Sequence, residues 1–188
     1  EKWMQCEDQT NTFKNRKRPY FAVAGRLVSE KGFQNLIPVM KKFPQYDLLI
    51  AGTGPLENHL KSIAPENVHF LGLLSEEELA PLFHHSIAVI MPSLFYETFG
   101  YVALEAFATR APVILHNVGA LPELVHTSGG GLIYNTNAEL ITAMTRLASD
   151  SKLRTDMGEL GFQAWKNNWS EDIHCKMYIS ILNDLRTR

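Results

Sequence analysis

The sequence has few cysteines, almost no net charge and no long uncharged apolar run. Its 188 residues include two cysteines, Cys6 and Cys175, which lie near opposite ends of the chain without a CxxC motif. We interpret both as reduced thiols of a cytosolic protein, because a disulfide scaffold needs a denser cysteine framework. No run is long enough to cross a bilayer and no signal peptide opens the chain, so we expect a cytoplasmic protein, peripheral to the inner membrane face at most.

The charge balance argues against nucleic acid as a partner. The formal net charge is −2, whereas nucleic-acid-binding domains usually carry a clear excess of lysine and arginine. The basic cluster KNRKR at 14–18 is predicted to be a solvated segment. We assign residues 1–18 to a leader or linker and residues 19–188 to one domain, for which a hydrophobic content of 45% supplies an ample core.

Strand-like apolar runs alternate with segments of helical periodicity along the domain. The predicted strands are YFAVAGRL (20–27), YDLLIAG (46–52), VHFLG (68–72), SIAVIMPS (86–93), PVILHN (112–117) and GLIY (131–134). The predicted helices cover GFQNLIPVMKKF (32–43), a segment from Pro55, a segment that Ser75 and Glu78 cap, the segment after Phe99, ALPELV (120–125), and the chain from Asn137 onward, with breaks at 150–151 and 169–170.

This order predicts an α/β fold. The strands are continuously apolar, which is typical of a parallel sheet covered on both faces. We therefore expect a doubly wound, six-stranded Rossmann-like sheet with helices on both faces and a helical C-terminus. Ligands of such sheets bind beyond the carboxyl ends of the strands, where the strand order reverses. In the common six-stranded order the first and fourth strands flank that point, so the loops GRLVSEKG (25–32) and SLFYETFG (93–100) are predicted to form the site.

The first loop offers two cations between glycines. Arg26 and Lys31 follow Gly25 and precede Gly32, respectively. An arginine fork and a lysine ammonium together suit a diphosphate, although two solvated surface charges are the alternative. The loop AGTGP (51–55) is also rich in glycine, but it lacks the full dinucleotide-binding fingerprint.

The second loop leads into an apolar helix that carries an acid. Phe99-Gly100 precede the first turn, whose free N–H groups and dipole predict an anion site. Glu97 stands just ahead of this turn, and Glu105 lies within the otherwise apolar helix. A carboxylate there is unfavourable unless it accepts hydrogen bonds, and the two hydroxyls of a ribose could supply them. The alternative is a structural pair between Glu105 and a nearby cation or backbone amide.

Five motifs together resemble a known family. AGRLVSEKG, AGTGP, HFLG, MPSLFYETFGYVALEAFATRAPVI and VGALPELV have the order and spacing found in retaining glycosyltransferases of the GT-B type, family four. Over roughly residues 19–185 the chain resembles their carboxyl-terminal, nucleotide-sugar-binding half. The pair Glu97 and Glu105, eight positions apart around Phe99-Gly100, is specific in combination. Arg110 departs from the family, which commonly has a glycine at this helix end, and it is expected to adopt a left-handed conformation or to end the helix differently.

The resemblance implies a role for each matching position. Arg26 and Lys31 would grip the donor diphosphate and, with Glu97 at the donor sugar's hydroxyls, form the catalytic set. Glu105 would hold the ribose. The remaining donor contacts would come from Gly25, from the backbone near Leu71 at the base, and from the amides of Phe99, Gly100, Tyr101 and Val102. The donor would be a UDP-, GDP- or ADP-sugar, with no cofactor and no bound metal.

The resemblance also implies a missing part. Family members carry an acceptor-binding N-terminal domain, which this chain lacks, so we expect the chain alone to bind donor with little or no transfer to a saccharide, lipid or protein acceptor. Two alternatives stay open. The chain could be a non-catalytic nucleotide-sugar-binding module that acts with a partner chain, or half of a GT-B-like sugar-nucleotide epimerase, for which this glutamate pair is not expected.

Overall fold

The computed structural model describes residues 13–186 and has a central sheet of six parallel strands. The strands are β1 (Tyr20–Ala24), β2 (Asp47–Ala51), β3 (Val68–Gly72), β4 (Val89–Met91), β5 (Val113–His116) and β6 (Gly131–Tyr134). Their spatial order is β3-β2-β1-β4-β5-β6, so the chain reverses its direction of travel across the sheet between β1 and β4. The predicted doubly wound Rossmann-like fold is confirmed.

Helices cover both faces of this sheet. They are α1 (Phe33–Leu36), α2 (Glu57–Ile63), α3 (Glu76–His84), α4 (Tyr101–Ala108), α5 (Leu121–Ser128), α6 (Asn137–Ser149), α7 (Ser151–Asn168) and α8 (Glu171–Arg186). Short 3-10 helices at Ser29–Lys31 and Ile37–Lys42 flank α1. Within residues 13–186, no helix is both long and apolar enough to span a membrane.

Alternate residues of β1 belong to two separate cores. Phe21 and Val23 pack with residues of α1, α2 and α6, whereas Tyr20 and Ala22 pack with residues of α3, α4, α5 and α7. All four side chains are buried. This arrangement explains the continuous apolar character of β1, because neither of its faces reaches solvent.

Side-chain caps mark the starts of α3, α6 and α7. Ser75 accepts from the Glu78 amide and Glu78 accepts from the Ser75 amide, which is the predicted capping box of α3. Asp150 ends α6 and caps α7 through the Leu153 amide at 2.9 Å. Arg110 has φ = 60°, so the left-handed alternative that we considered for this position is the observed one.

Four strands, β1, β2, β4 and β5, are shorter than predicted, and the helix predicted over 32–43 is divided. The first strand ends at Ala24 and not at 27, because Gly25 turns the chain with φ = 152° and donates its N–H to Ala51 O at 3.0 Å. The single helix expected over 32–43 is a short α1 followed by a 3-10 helix that has Pro38 at its beginning. Proline lacks the N–H that a continuous α-helix needs at this position.

The basic segment before β1 is attached to the sheet. Arg16 Nη2 donates to Asp47 Oδ2 at 2.9 Å, and Arg18 Nη1 lies 3.8 Å from Asp47 Oδ1. Asp47 is buried at the amino end of β2, so this cluster is only partly the solvated segment that the sequence suggested. Cys175 is a free, exposed thiol, whereas the prediction for Cys6 lies outside the described residues.

The last helix has an apolar stripe that stays exposed. None of the residues of α8 is buried. Met177, Ile181 and Leu185 follow one another at four-residue spacing and are 59%, 54% and 63% exposed, respectively. The helix therefore contributes little to the two cores that enclose the sheet.

Candidate functional site

The loops after β1 and β4 meet at the carboxyl edge of the sheet, as the strand order predicts. The two strands pair in parallel through Ala22 and Val89. Beyond them, the Leu94 amide donates to Glu30 O at 2.7 Å. Gly32, with φ = 72°, approaches so closely that a Cβ there would lie 1.9 Å from Pro92 O. Two loops that are distant in sequence are therefore joined backbone to backbone.

A cavity of about 490 Å³ opens at this edge. It is lined by the ends of β1 and β2, the loops that follow β1, β2 and β3, and one side of α3 and α4: Ala24, Gly25, Arg26, Ala51, Gly52, Thr53, Gly54, Pro55, Leu73, Leu74, Leu79, Val102 and Glu105. Four of the predicted site residues are in this set. The floor is glycine-rich, and the leucines make one side apolar, which suits a ligand with both a charged and a planar part.

Glu105 places a carboxylate on this cavity without a partner. Within the part of the chain that the structure describes, no group donates a hydrogen bond to it and no cation lies within ion-pair distance. Burial, reinforced by the negative charge of Glu76, raises the pKa of Glu105 to about 7. Among residues 13–186 the structural pair that we considered as an alternative is therefore not formed, and the carboxylate can accept hydrogen bonds from a ligand.

The two predicted cations differ in their surroundings. Arg26 is exposed at the cavity and forms no ion pair with any residue in 13–186. Lys31, at the end of the 3-10 turn after β1, is hydrogen-bonded to Glu97 Oε1. Both stand at the same edge of the sheet, but only Arg26 lines the cavity.

Glu97 is held by side chains on either side. Besides the ammonium of Lys31, its Oε1 accepts the Ser93 hydroxyl at 2.7 Å. Burial raises the pKa of Glu97, but the hydrogen bonds from Lys31 and Ser93 outweigh it and hold the pKa below its ordinary value. Glu97 is therefore a carboxylate near neutral pH.

The first turn of α4 presents unbonded amides. No described residue accepts a hydrogen bond from the N–H groups of Phe99, Gly100, Tyr101 or Val102. Gly100 has φ = 85°, and a Cβ there would lie 2.7 Å from Leu121 Cδ2 of α5. The structure thus gives a conformational and a packing reason for this glycine, in addition to the close ligand approach that we predicted.

Three residues of the site escaped sequence reasoning. The Ser93 hydroxyl donates to Glu97, and His116 Nδ1 donates to Ser93 O at 2.7 Å. Gly119 packs against the main chain of Glu97, where a Cβ on Gly119 would lie 2.6 Å from Glu97 O. His116 is the last residue of β5 and Gly119 follows the strand, so the carboxyl end of β5 was the signal that could have found them. Leu71 lies within β3, and the cavity is instead lined by Leu73 and Leu74 beyond it.

The chain belongs to the glycosyl transferases group 1 family, whose family model matches residues 5–164. It is 35% identical over 136 residues to an uncharacterized glycosyltransferase of Methanocaldococcus jannaschii, a match that covers 67% of this chain and 35% of that protein. The chain therefore spans about a third of that relative's length.

Solved structures share the fold. Sucrose-phosphate synthase from Thermosynechococcus elongatus superposes with a TM-score of 0.81 at 26% identity, over 92% of this chain and 47% of that one. Anabaena HepE, solved in complex with UDP and glucose, superposes with a TM-score of 0.79 at 19% identity, over 95% of this chain and 51% of that one. The chain thus has the fold of the carboxyl-terminal domain of GT-B, family-four glycosyltransferases.

Proposed function

We propose that the chain is the donor half of a retaining glycosyltransferase and binds a nucleoside diphosphate sugar at the carboxyl edge of the sheet. The observation that carries this proposal is Glu105, a carboxylate on the cavity wall without a hydrogen-bond donor. A ribose presents two adjacent hydroxyls, which match the two oxygens of one carboxylate.

The neighbouring groups suit the phosphates. Arg26 lies on the same cavity and has no ion pair among residues 13–186, so its guanidinium fork is available for a diphosphate. The unbonded amides of Tyr101 and Val102 add donors at the positive end of α4. Lys31 would supply a second cation. These groups would stabilise the negative charge that develops on the leaving nucleoside diphosphate without a metal ion.

The sugar and the base are assigned to opposite ends of the site. Glu97 precedes the first turn of α4, whereas Glu105 lies within the helix. If Glu105 binds the ribose and the first turn binds the phosphates, Glu97 would accept hydrogen bonds from the hydroxyls of the donor sugar. The base would lie against the backbone that follows Leu71, beside the exposed Leu73. HepE has been solved with UDP, so a UDP-sugar is the first donor to test, followed by GDP- and ADP-sugars.

The whole reaction needs a second domain. The match covers 35% of the Methanocaldococcus relative, and transfer requires an acceptor hydroxyl held beside the anomeric carbon with water excluded. We therefore propose that an N-terminal half supplies the saccharide, lipid or protein acceptor. The 188 residues alone are expected to bind donor with little or no transfer.

Titration calorimetry tests the proposal. The chain is titrated with UDP, GDP and ADP, and then with UDP-glucose, GDP-mannose and ADP-glucose. We expect one nucleoside diphosphate to bind, and Glu105→Gln to weaken it by about tenfold, because one hydrogen bond to a charged group is lost. A 2′,3′-dideoxy nucleotide should lose affinity for the natural chain and little for the variant. Absence of binding by all six ligands would refute the assignment.

Transfer assays separate the proposal from its alternatives. A binding module predicts donor affinity and no turnover even when a related N-terminal half is supplied in trans. If the chain is half of an epimerase, one stereocentre of the sugar in the sugar nucleotide should be inverted without any acceptor. Turnover that depends on an acceptor and on the added half, and that Glu97→Ala abolishes, would support the glycosyltransferase.

A further inference from the structure

Lys31 and Glu97 are fixed opposite one another by the main chain of their two loops. The loop after β1 and the loop after β4 are joined through Glu30 and Leu94 and through the close approach of Gly32 to Pro92. The ammonium and the carboxylate therefore meet between loops that have little room to separate. Their side chains are 35% and 19% exposed, respectively, so the ion pair is partly shielded from solvent.

The same two groups are those that the donor is proposed to use. Lys31 would bind the diphosphate and Glu97 the sugar, yet in this structure each is the other's partner. The Glu97 carboxylate and the diphosphate would thus compete for the single ammonium group of Lys31. A lysine ammonium is a single point charge on a flexible stem, which can swing between two nearby anions.

We propose that donor binding exchanges the partner of Lys31, from Glu97 to the diphosphate, and that this exchange frees Glu97 for the hydroxyls of the donor sugar. The proposal rests on the proposed function, since it takes a nucleoside diphosphate sugar as the ligand. It adds a coupling between the two ends of the donor: the phosphates release the residue that then binds the sugar.

Ser93 keeps Glu97 in place during the exchange. Its hydroxyl donates to Glu97 Oε1 at 2.7 Å, and its own carbonyl accepts His116 Nδ1 at 2.7 Å. The Ala120 amide also donates to Glu97 O at 3.0 Å, so the main chain of Glu97 is anchored to the loop after β5. Glu97 therefore retains its position when Lys31 leaves, which makes Ser93 a positioning residue.

The exchange gives Glu97 opposite effects on two ligands. A nucleoside diphosphate without a sugar must take Lys31 from Glu97 and offers Glu97 nothing in return. Removing the charge of Glu97 should therefore tighten the binding of the bare diphosphate. A nucleotide sugar also loses a hydrogen-bond acceptor in that variant, so the preference for the sugar-bearing ligand should fall.

Calorimetry on a double-mutant cycle measures this coupling. Glu97→Gln, Lys31→Ala and the double variant are titrated with UDP, GDP, ADP and the corresponding UDP-glucose, GDP-mannose and ADP-glucose. We expect Glu97→Gln to increase the affinity for the bare diphosphate by about two- to fivefold, the range that such an ion pair contributes. In the Lys31→Ala background the same substitution should have no effect.

Glu30→Gln is the matched control. Glu30 lies in the same loop, and its side chain bonds Ser29 Oγ at 3.0 Å and not Lys31. This variant removes one negative charge near the site and leaves the pair intact. Glu30 also attracts Arg26, but this attraction is the smallest of the causes that lower the Glu30 pKa, so a change of less than about twofold is expected. An equal gain in affinity for Glu30→Gln and Glu97→Gln would overturn the exchange in favour of general electrostatics.

Ser93→Ala tests the second part without changing any charge. The bare diphosphate should keep its affinity, whereas the preference for the sugar-bearing ligand should fall as it does in Glu97→Gln. If the natural chain binds a diphosphate but Glu97→Gln weakens it or leaves it unchanged, the exchange is wrong and the proposed function stands. If the natural chain binds none of these ligands, both are wrong.

Discussion

The guanidinium carbon of Arg110 lies 3.6 Å from the ring centroid of Phe162, which ties the turn after α4 to α7. Arg110 Nε also donates to Glu159 at 3.0 Å. These contacts offset a left-handed backbone with φ = 60°, which is unfavourable by about 1–2 kcal/mol for a residue with a Cβ. They give a physical reason why arginine is tolerated where the family commonly has glycine.

Two substitutions at Arg110 should therefore differ. Arg110→Gly relieves the backbone strain while losing the contacts, so the free energy of unfolding should change by less than about 1 kcal/mol. Arg110→Ala keeps the strain and loses the contacts, so it should destabilise the chain by about 1–2 kcal/mol. Urea denaturation of both variants, with Glu159→Gln to isolate the ion pair, measures the difference. Equal stabilities for the glycine and alanine variants would contradict the compensation.

Glu105 should make the free chain less stable as the pH rises. Its pKa is about 7 in the folded chain against 4.5 for an ordinary glutamate, so between these values the folded chain binds a proton that the unfolded chain has released. This contribution to stability is fully present below pH 4.5 and is lost as the pH rises through 7. Glu105→Gln should therefore stabilise the chain by about 1–3 kcal/mol at pH 8 relative to pH 4.5.

Thermal unfolding of both forms across this pH range provides the measurement. The quantity of interest is the difference between the natural chain and Glu105→Gln, because other titrating groups cancel in it. A difference that does not vary with pH would mean that Glu105 is solvated in the folded chain. If Glu105→Gln raises the stability of the chain and weakens nucleotide binding, Glu105 serves ligand binding at a cost in stability.

Much of the fold follows from local pattern. The bounds of β3 and β6 coincide with the predicted runs, since apolar strands bounded by glycine or turn residues leave little choice of register. The predicted end of β1 lies three residues too late because the apolar Leu27 follows Gly25 and Arg26 closely in sequence. The turn at Gly25 is instead set by its bond to Ala51 of a neighbouring strand, which no local window contains.

The sequence predicts candidate site residues but not the bonds between them. Arg26, Lys31 and Glu97 are predicted from loops whose strands end at one edge of a parallel sheet, and Glu105 is predicted as an acid within an apolar helix. Their roles toward a donor stay predictions. The bond between Lys31 and Glu97 depends on how two loops pack, 66 residues apart. Ser93 and His116 stand at the carboxyl ends of two strands, but their bonds to Glu97 and to each other depend on the same packing and were not predicted.

Arg26 should discriminate between phosphates. The guanidinium of Arg26 is expected at the distal phosphate. Arg26→Ala should therefore lower the affinity for a nucleoside diphosphate by about ten- to a hundredfold, and the affinity for the monophosphate much less. Arg146→Ala is the control, because Arg146 is an exposed arginine near the end of α6. Calorimetry with both ligands on both variants measures the effect. Equal losses for diphosphate and monophosphate would place Arg26 elsewhere on the ligand.

Donor binding should survive removal of metal ions. Within residues 13–186, no cluster of three or more histidine, cysteine or acidic side chains could hold a metal. The chain is incubated with EDTA, dialysed and titrated with the nucleoside diphosphate, and the affinity should change by less than about twofold because cations and amides address the phosphates. Affinity that returns only after manganese or magnesium is added would point to a different mode of phosphate binding.

The apolar stripe of α8 has a consequence for the opening motions of the chain. A helix without a buried residue can unfold while both cores around the sheet stay intact, so its opening requires far less free energy than global unfolding. Amide hydrogens within α8 should therefore exchange with solvent quickly, whereas those of β1, buried between both cores, should exchange only when the entire domain opens. On this expectation the sheet and the helices that enclose it would open as one cooperative body, and α8 would open independently of it.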